Sequence, residues 1–174
     1  MMLTEVTPCA LFPVVGEDIR KILFVCTGNT CRSPMAAAAL NDMARAHALL
    51  GSEGARTVAA SAGLYATDGA PITKEAVEAL LEAGVVSTPE NDYQNHRAAR
   101  VTEEMMATAD EVVAISAAHA MELLMRYPAH AQKITTLGTD VPDPFGGGRE
   151  VYRACLRTLR ALIATRYFGE GESV

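Results

Sequence analysis

Lys21-Ile-Leu-Phe-Val-Cys26-Thr-Gly-Asn-Thr-Cys31-Arg-Ser-Pro-Met35 reads as a strand, a short polar loop and the start of a helix. Ser33 is a good N-cap, and Pro34 suits the first helical position because its missing N–H would have no partner there. A helix N-terminus directs unpaired N–H groups and partial positive charge at whatever the loop holds, so the stretch predicts an anion site with phosphate as its usual occupant. Cys26 and Arg32 stand six positions apart. That spacing lets the amides of residues 27–32 wrap a phosphate, with a sulfur below phosphorus and a guanidinium fork on the oxygens. Such electropositive surroundings favour the thiolate, which is the nucleophilic form. A Walker nucleotide loop is excluded, since the Gly-Lys-Ser/Thr ending is missing.

Outward from this stretch, apolar runs alternate with helical patterns. Residues 1–20 show no clear period and are expected to be an N-terminal extension, packed as an edge segment or mobile. Strands are expected at Lys21–Val25, Thr57–Ala60, Glu111–Ile115 and Lys133–Leu137. Helices are expected over about 34–50, 72–83 with Gly84 closing it, from Thr102 onward, from a Ser116 cap to about Tyr127, and over 149–167. In the first helix, Met35, Ala38, Ala39, Met43 and Ala46 form one small apolar face. Alternating strands and helices imply right-handed crossovers and a parallel sheet covered on both faces. The expected fold is therefore α/β, a three-layer sandwich on a four-stranded parallel sheet in the order 2-1-3-4. Strand one is then central, and the Cys26 loop leaves it beside the switch point where such sheets bind ligands. Residues 21–174 are expected to be a single domain.

Composition narrows the function. A formal net charge of −6 argues against nucleic-acid binding. No run approaches the roughly 20 apolar residues of a membrane span. The first twenty residues lack a basic n-region, so no signal peptide is expected. Cys9, Cys26, Cys31 and Cys155 do not read as a secreted disulfide framework, which makes cytoplasm the expected compartment. Cys26 and Cys31 have no second ligand pair at zinc spacing, so no metal and no cofactor are expected.

Cys26-Thr-Gly-Asn-Thr-Cys-Arg-Ser33, together with a distant Asp143-Pro144, resembles the low-molecular-weight protein tyrosine phosphatases over about Lys21 to Tyr167. The resemblance implies a cysteine-dependent phosphatase acting on a phosphorylated protein, with inorganic phosphate as product. Cys26 is the expected nucleophile, attacking phosphorus in line to give phosphocysteine. Arg32 and the loop amides, from Thr27, Gly28, Asn29, Thr30 and Cys31, would hold the equatorial oxygens. Gly28 and Asn29 are expected to make the tight turn through positive φ. Ser33 is expected to cap the helix and to donate to the thiolate. The resemblance makes Asp143 the general acid and later the base that activates water, ahead of Asp140. It makes Phe145 an aromatic pocket wall, and Ser61 and His96 the supports of Asn29.

Thr30, with the runs Cys-Thr-Gly-Asn-Thr-Cys-Arg-Ser-Pro-Met and Asp-Pro-Phe-Gly-Gly, resembles the bacterial protein-arginine phosphatases of that family. Phosphoarginine and phosphotyrosine both stand as substrates at this point. Cys31 offers a reversible disulfide to Cys26 under oxidation. Cys155 reads as a helix-core residue, and His119 and His130 read as surface residues. Arg97 and Arg100 read as solvated charge. Arsenate reduction is the enzymatic alternative, but its thioredoxin-coupled form needs mid-chain cysteines, and none lies between Cys31 and Cys155. A non-catalytic phosphate-binding regulatory module is the other alternative.

Overall fold

A computed structural model of the chain describes residues 11–12, 18–51 and 56–169. The chain order is β1 (Ile19–Cys26), α1 (Arg32–Leu49), β2 (Arg56–Gly63), α2 (Lys74–Glu82), α3 (Glu103–Thr108), β3 (Glu111–Ala114), α4 (Ala117–Arg126), β4 (Ile134–Thr136) and α5 (Arg149–Phe168). Short 3₁₀ turns at Tyr93–Asn95 and Pro128–Lys133, which periodicity did not reveal, fill two of the connections. The sheet is parallel throughout in the order β2-β1-β3-β4, as expected.

Alternation along β1 builds the three layers. Ile22, Phe24 and Cys26 point into a cluster with Met35 and Leu40 of α1, Leu80 of α2, and Leu156 and Leu159 of α5. Leu23 and Val25 point the other way, against Met106 of α3 and Leu123 of α4. A strand covered on both faces must be apolar at successive positions, which is how Ile22–Val25 reads. Of the expected extension, Ile19 and Arg20 already belong to β1, and Phe12 is buried in the second cluster. Residues 1–10 and 13–17 lie outside the described residues.

The first half of α1 departs from the single-face expectation: every residue from Arg32 to Leu40 is buried. It runs between the sheet and α5, and its alanines let backbones approach from more than one side. The other helix ends follow sequence chemistry. Thr73, Thr102 and Ser116 cap α2, α3 and α4 through their hydroxyls. Gly84 (φ +77°) ends α2, with the Gly84 and Val85 amides donating to the Leu81 and Leu80 carbonyls. At the sheet end opposite Cys26, the Glu111 carboxylate accepts from Arg20 (2.7 Å), Arg166 and Tyr167, anchoring the last turn of α5. No helix among the described residues is long and apolar enough to cross a membrane.

Candidate active site

The loop from Cys26 to Arg32 leaves the C-terminal end of central β1, where its two neighbouring strands also end. Cys26 is buried with its sulfur as the focus of a small polar shell. The Ser33 hydroxyl lies 2.9 Å from Sγ, and the Asn29 backbone N–H donates to Sγ at 3.3 Å. Among the loop residues Asn29 alone has a positive φ, +57°; Gly28 does not, so the expectation that both use that region holds for Asn29 only.

Asn29 is fully buried, and its amide side chain is satisfied at both ends. Nδ2 donates to Ser33 Oγ and Ser61 Oγ, both at 2.9 Å, and Oδ1 accepts from the Ala99 N–H at 2.9 Å. His96 Nε2 donates to the Asn29 carbonyl at 2.9 Å. Ser61 and His96 thus meet at Asn29. Burial holds the His96 ring below its usual range, partly offset by that hydrogen bond, so the ring is neutral at pH 7.

Ser33 is not the N-cap. α1 begins at Arg32, its N-cap position is Cys31, and no side chain caps it. Starting the helix earlier turns the serine inward, where its oxygen accepts from Asn29 Nδ2 and its proton lies between the Cys26 sulfur at 2.9 Å and the Ala62 carbonyl at 3.4 Å. A satisfied hydroxyl of this kind offers a thiolate a neutral donor already in place.

Arg32 is buried at the start of α1, and its fork reaches the loop that follows β4. Nη1 donates to the Val141 carbonyl at 3.1 Å, and Nη2 lies 3.5 Å from the Asp143 carboxylate. Asp143 is half exposed and also accepts from the Phe145 N–H at 3.1 Å, an Asx turn that holds the carboxyl beside the Arg32 guanidinium. Phe145 is 72% exposed. Asp140 is engaged elsewhere, accepting from the Ala117 N–H at 2.9 Å at the N-terminus of α4.

Thr30 accepts from the Thr73 N–H through its carbonyl (3.0 Å), fastening the loop to α2. Its hydroxyl lies 3.7 Å from Cys31 Sγ and 3.8 Å from where a Gly28 Cβ would stand. Cys31 directs its sulfur to Tyr152 Oη at 3.3 Å, so the two loop cysteines have different partners, and both are free thiols. Burial, followed by Cys31, pushes the Tyr152 phenol up to about 12. Cys155 is buried in α5, as expected, and burial pushes its thiol up to about 12. Arg97 and Arg100 are not buried. His130 is half-buried against Glu103 rather than free on the surface.

His119 is not a surface residue. It is buried, with Nε2 2.8 Å from Thr27 Oγ1 and Nδ1 2.8 Å from Ser116 Oγ. The expectation failed because α4 packs its first turn against the Cys26 loop, a contact between distant segments that helical period does not encode. Gly63 and Tyr65 were missed for the same reason. A Cβ on Gly63 would stand 2.7 Å from the Thr27 carbonyl oxygen, so only glycine lets β2 end so close to the loop. Tyr65 donates its backbone N–H to that carbonyl at 2.9 Å and leaves an exposed ring under the Arg126 guanidinium. Among the described residues no group of three or more His, Cys, Asp or Glu side chains is placed to hold a metal ion.

A buried thiol at the end of the central parallel strand, a wrapped loop closed by an arginine and an acid on a facing loop define a phosphate-handling α/β enzyme site. The chain belongs to the family described as low molecular weight phosphotyrosine protein phosphatase, whose sequence model matches residues 21–166. Among its relatives are the protein-arginine-phosphatases of Bacillus subtilis, 36% identical with 82% of this chain and 91% of that protein covered, and of Geobacillus stearothermophilus, 39% identical with 82% and 90% covered. The solved low-molecular-weight protein tyrosine phosphatase from T. tengcongensis superposes with a TM-score of 0.71 at 40% identity, covering 83% of this chain and 95% of that one. A YwlE arginine phosphatase mutant, serine replacing cysteine and carrying phosphate on its active-site serine, superposes at 0.72 with 34% identity, covering 82% and 90%.

Proposed function

We propose that this chain hydrolyses phosphoarginine on proteins, through a phosphocysteine formed at Cys26. The observation that carries the reading is Thr30, a short β-branched residue inside the phosphate loop whose hydroxyl lies 3.7 Å from the Cys31 sulfur. Two relatives at 36% and 39% identity that are named protein-arginine-phosphatases support it.

In the first step the Cys26 thiolate attacks phosphorus. The S–P bond forms, the P–N bond breaks, and the guanidine leaves with a proton from Asp143. Arg32 and the loop amides carry the charge on the equatorial oxygens. In the second step the Asp143 carboxylate takes a proton from water, whose oxygen attacks phosphorus. The S–P bond breaks, and inorganic phosphate and the thiolate are released. The reaction needs no redox partner and no metal.

Phosphotyrosine is the second reading, since Phe145 and Tyr65 offer exposed aromatic faces that can stack on a phenol. The same faces stack on a guanidinium plane, so they do not separate the two substrates. Thr30 does. A phosphoarginine leaving group is planar and branched next to nitrogen, and isoleucine at position 30 would add bulk and remove a polar contact beside the breaking bond. Discrimination from one such side chain is worth about 1–3 kcal/mol, or roughly tenfold to two-hundredfold. Thr30→Ile should lower kcat/KM on a phosphoarginine peptide and spare or raise it on a phosphotyrosine peptide. Equal changes on both substrates would remove the arginine reading and leave the tyrosine one.

A further inference from the structure

His119 joins two parts of the site that are far apart in sequence, and the mechanism above gives it no role. Its ring sits between the Thr27 hydroxyl, at the first residue after the nucleophile, and the Ser116 hydroxyl, the N-cap of α4. Ser116 Oγ also accepts from the His119 backbone N–H at 3.3 Å, so the ring is held by its own helix start. Within that same turn, the Ala117 N–H donates to Asp140 on the loop that carries Asp143. Hydrogen bonds therefore tie Thr27 to the first turn of α4, and the residue after its cap, Ala117, ties that turn to Asp140 on the acid loop.

The state of the ring makes this tie directional. The charges of Arg32 from the start of α1, Glu122 from α4, and Asp140 and Asp143 from the acid loop all act on the His119 ring. Burial is the largest influence and Arg32 the next, and together they hold the ring below its usual range, so it is neutral at pH 7. A neutral imidazole donates from one nitrogen and accepts at the other. The Thr27 and Ser116 hydroxyls must then point in opposite senses, one giving its proton to the ring and one receiving the ring's. The orientation of an otherwise exposed threonine is thus tied to the helix cap that stands beside Asp140.

We propose that His119 is a positioning residue: it fixes Thr27 at the entrance of the phosphate loop and, through the N-terminus of α4 and Asp140, sets the Asp143 loop in register with it. This rests on the phosphatase reading above. His119 touches no reacting atom. Its effect passes through Thr27 on one side and Asp140 on the other.

The test is a double-mutant cycle on the full chain with Thr27→Val, His119→Ala and the double variant. Two quantities are read: kcat/KM on aryl phosphates of graded leaving-group ability, and Kd for inorganic phosphate by calorimetry. Loss of one oriented hydrogen bond should weaken phosphate binding and kcat/KM by about tenfold in each single variant. Because the Thr27 contact is common to both, the double variant should lose no more than His119→Ala alone, whereas independent roles would multiply to about a hundredfold. His119→Ala should also lose more on poor leaving groups than on good ones, which a merely structural role would not produce. If the alanine variant does not fold, His119→Gln takes its place in the same cycle with the same outcomes. Losses that multiply, or a His119 variant equal to wild type in both readouts, overturn the proposal. A wild type that binds phosphate without turnover would end the phosphatase reading, and the calorimetric cycle would still decide this one.

Discussion

Replacing Gly63 by alanine tests whether the end of β2 sets the position of the nucleophile loop. The added Cβ would stand 2.7 Å from the Thr27 carbonyl oxygen, 3.0 Å from Ala66 Cβ and 3.1 Å from Asn29 Cβ. With a C···O contact limited to about 3.3 Å, the loop must retreat by roughly 0.6 Å. It cannot do so freely. The Thr27 carbonyl is held by the Tyr65 N–H, and Asn29 is pinned through both ends of its side chain. Overpacking of this kind costs about 1–3 kcal/mol. That corresponds to a Tm lowered by roughly 2–12 °C in a domain of this size. The catalytic effect is larger in proportion, because a misplacement of about 1 Å costs on the order of a hundredfold. Gly63→Ala should therefore lower kcat/KM on an aryl phosphate by about tenfold, measured well below its Tm so that the folded fraction stays constant. Wild-type activity at an unchanged Tm, or a loss that only follows the unfolded fraction, would refute the claim that Gly63 places the loop.

Cys26→Ser should lose nearly all turnover yet still bind inorganic phosphate by calorimetry, and wild type should keep its activity in EDTA; a serine variant with substantial turnover contradicts the nucleophile assignment. Asp143→Asn should slow substrates with poor leaving groups by roughly a hundredfold, the scale of general acid catalysis, and spare those whose leaving group needs no proton. Equal losses across the series would reduce Asp143 to a shaper of the loop. His96 and His119 are both held below the usual value of 6.5 in the folded state, so the unfolded chain binds protons that the folded one does not. Their contribution to stability is full above pH 6.5 and is lost as pH falls below it. Between pH 7 and pH 5 the Tm of wild type should drop more steeply than that of a His96→Gln, His119→Gln variant, and parallel curves would rule this out.

The layers of the fold were legible because they follow from local rules. β1 reads as apolar on both faces, the Thr102 and Ser116 hydroxyls stand where helical patterns begin, and Gly84 ends α2 in a backbone region that glycine enters without strain. The nucleophile loop was legible as one contiguous stretch. What the chain could not give was anything set by contact between distant segments. His119 looks like any helical histidine until α4 is seen against Thr27. Gly63 looks like a strand end until its missing side chain is seen to admit the Thr27 carbonyl. The reading of Ser33 failed at a finer scale: a helix that starts at Arg32 rather than Pro34 rotates the serine from the cap position to the sulfur.

That rotation bears on the chemistry. Two neutral donors, the Ser33 hydroxyl at 2.9 Å and the Asn29 N–H at 3.3 Å, face the Cys26 sulfur. The guanidinium of Arg32 is turned instead toward the Val141 carbonyl and Asp143. The two steps of a phosphocysteine mechanism ask for this division. Charge on the phosphoryl oxygens is present throughout, and a fixed cation suits it. Charge on sulfur must vanish as the S–P bond forms and return as it breaks, so sulfur needs stabilisation that is ready in place yet does not lock it as an ion pair. Donors held by Asn29, itself satisfied by Ser61, Ala99 and His96, meet that need without reorganising between the steps. On the proposed mechanism the buried shell around Asn29 would serve the departure of sulfur in the second step, its outer members acting only through Asn29.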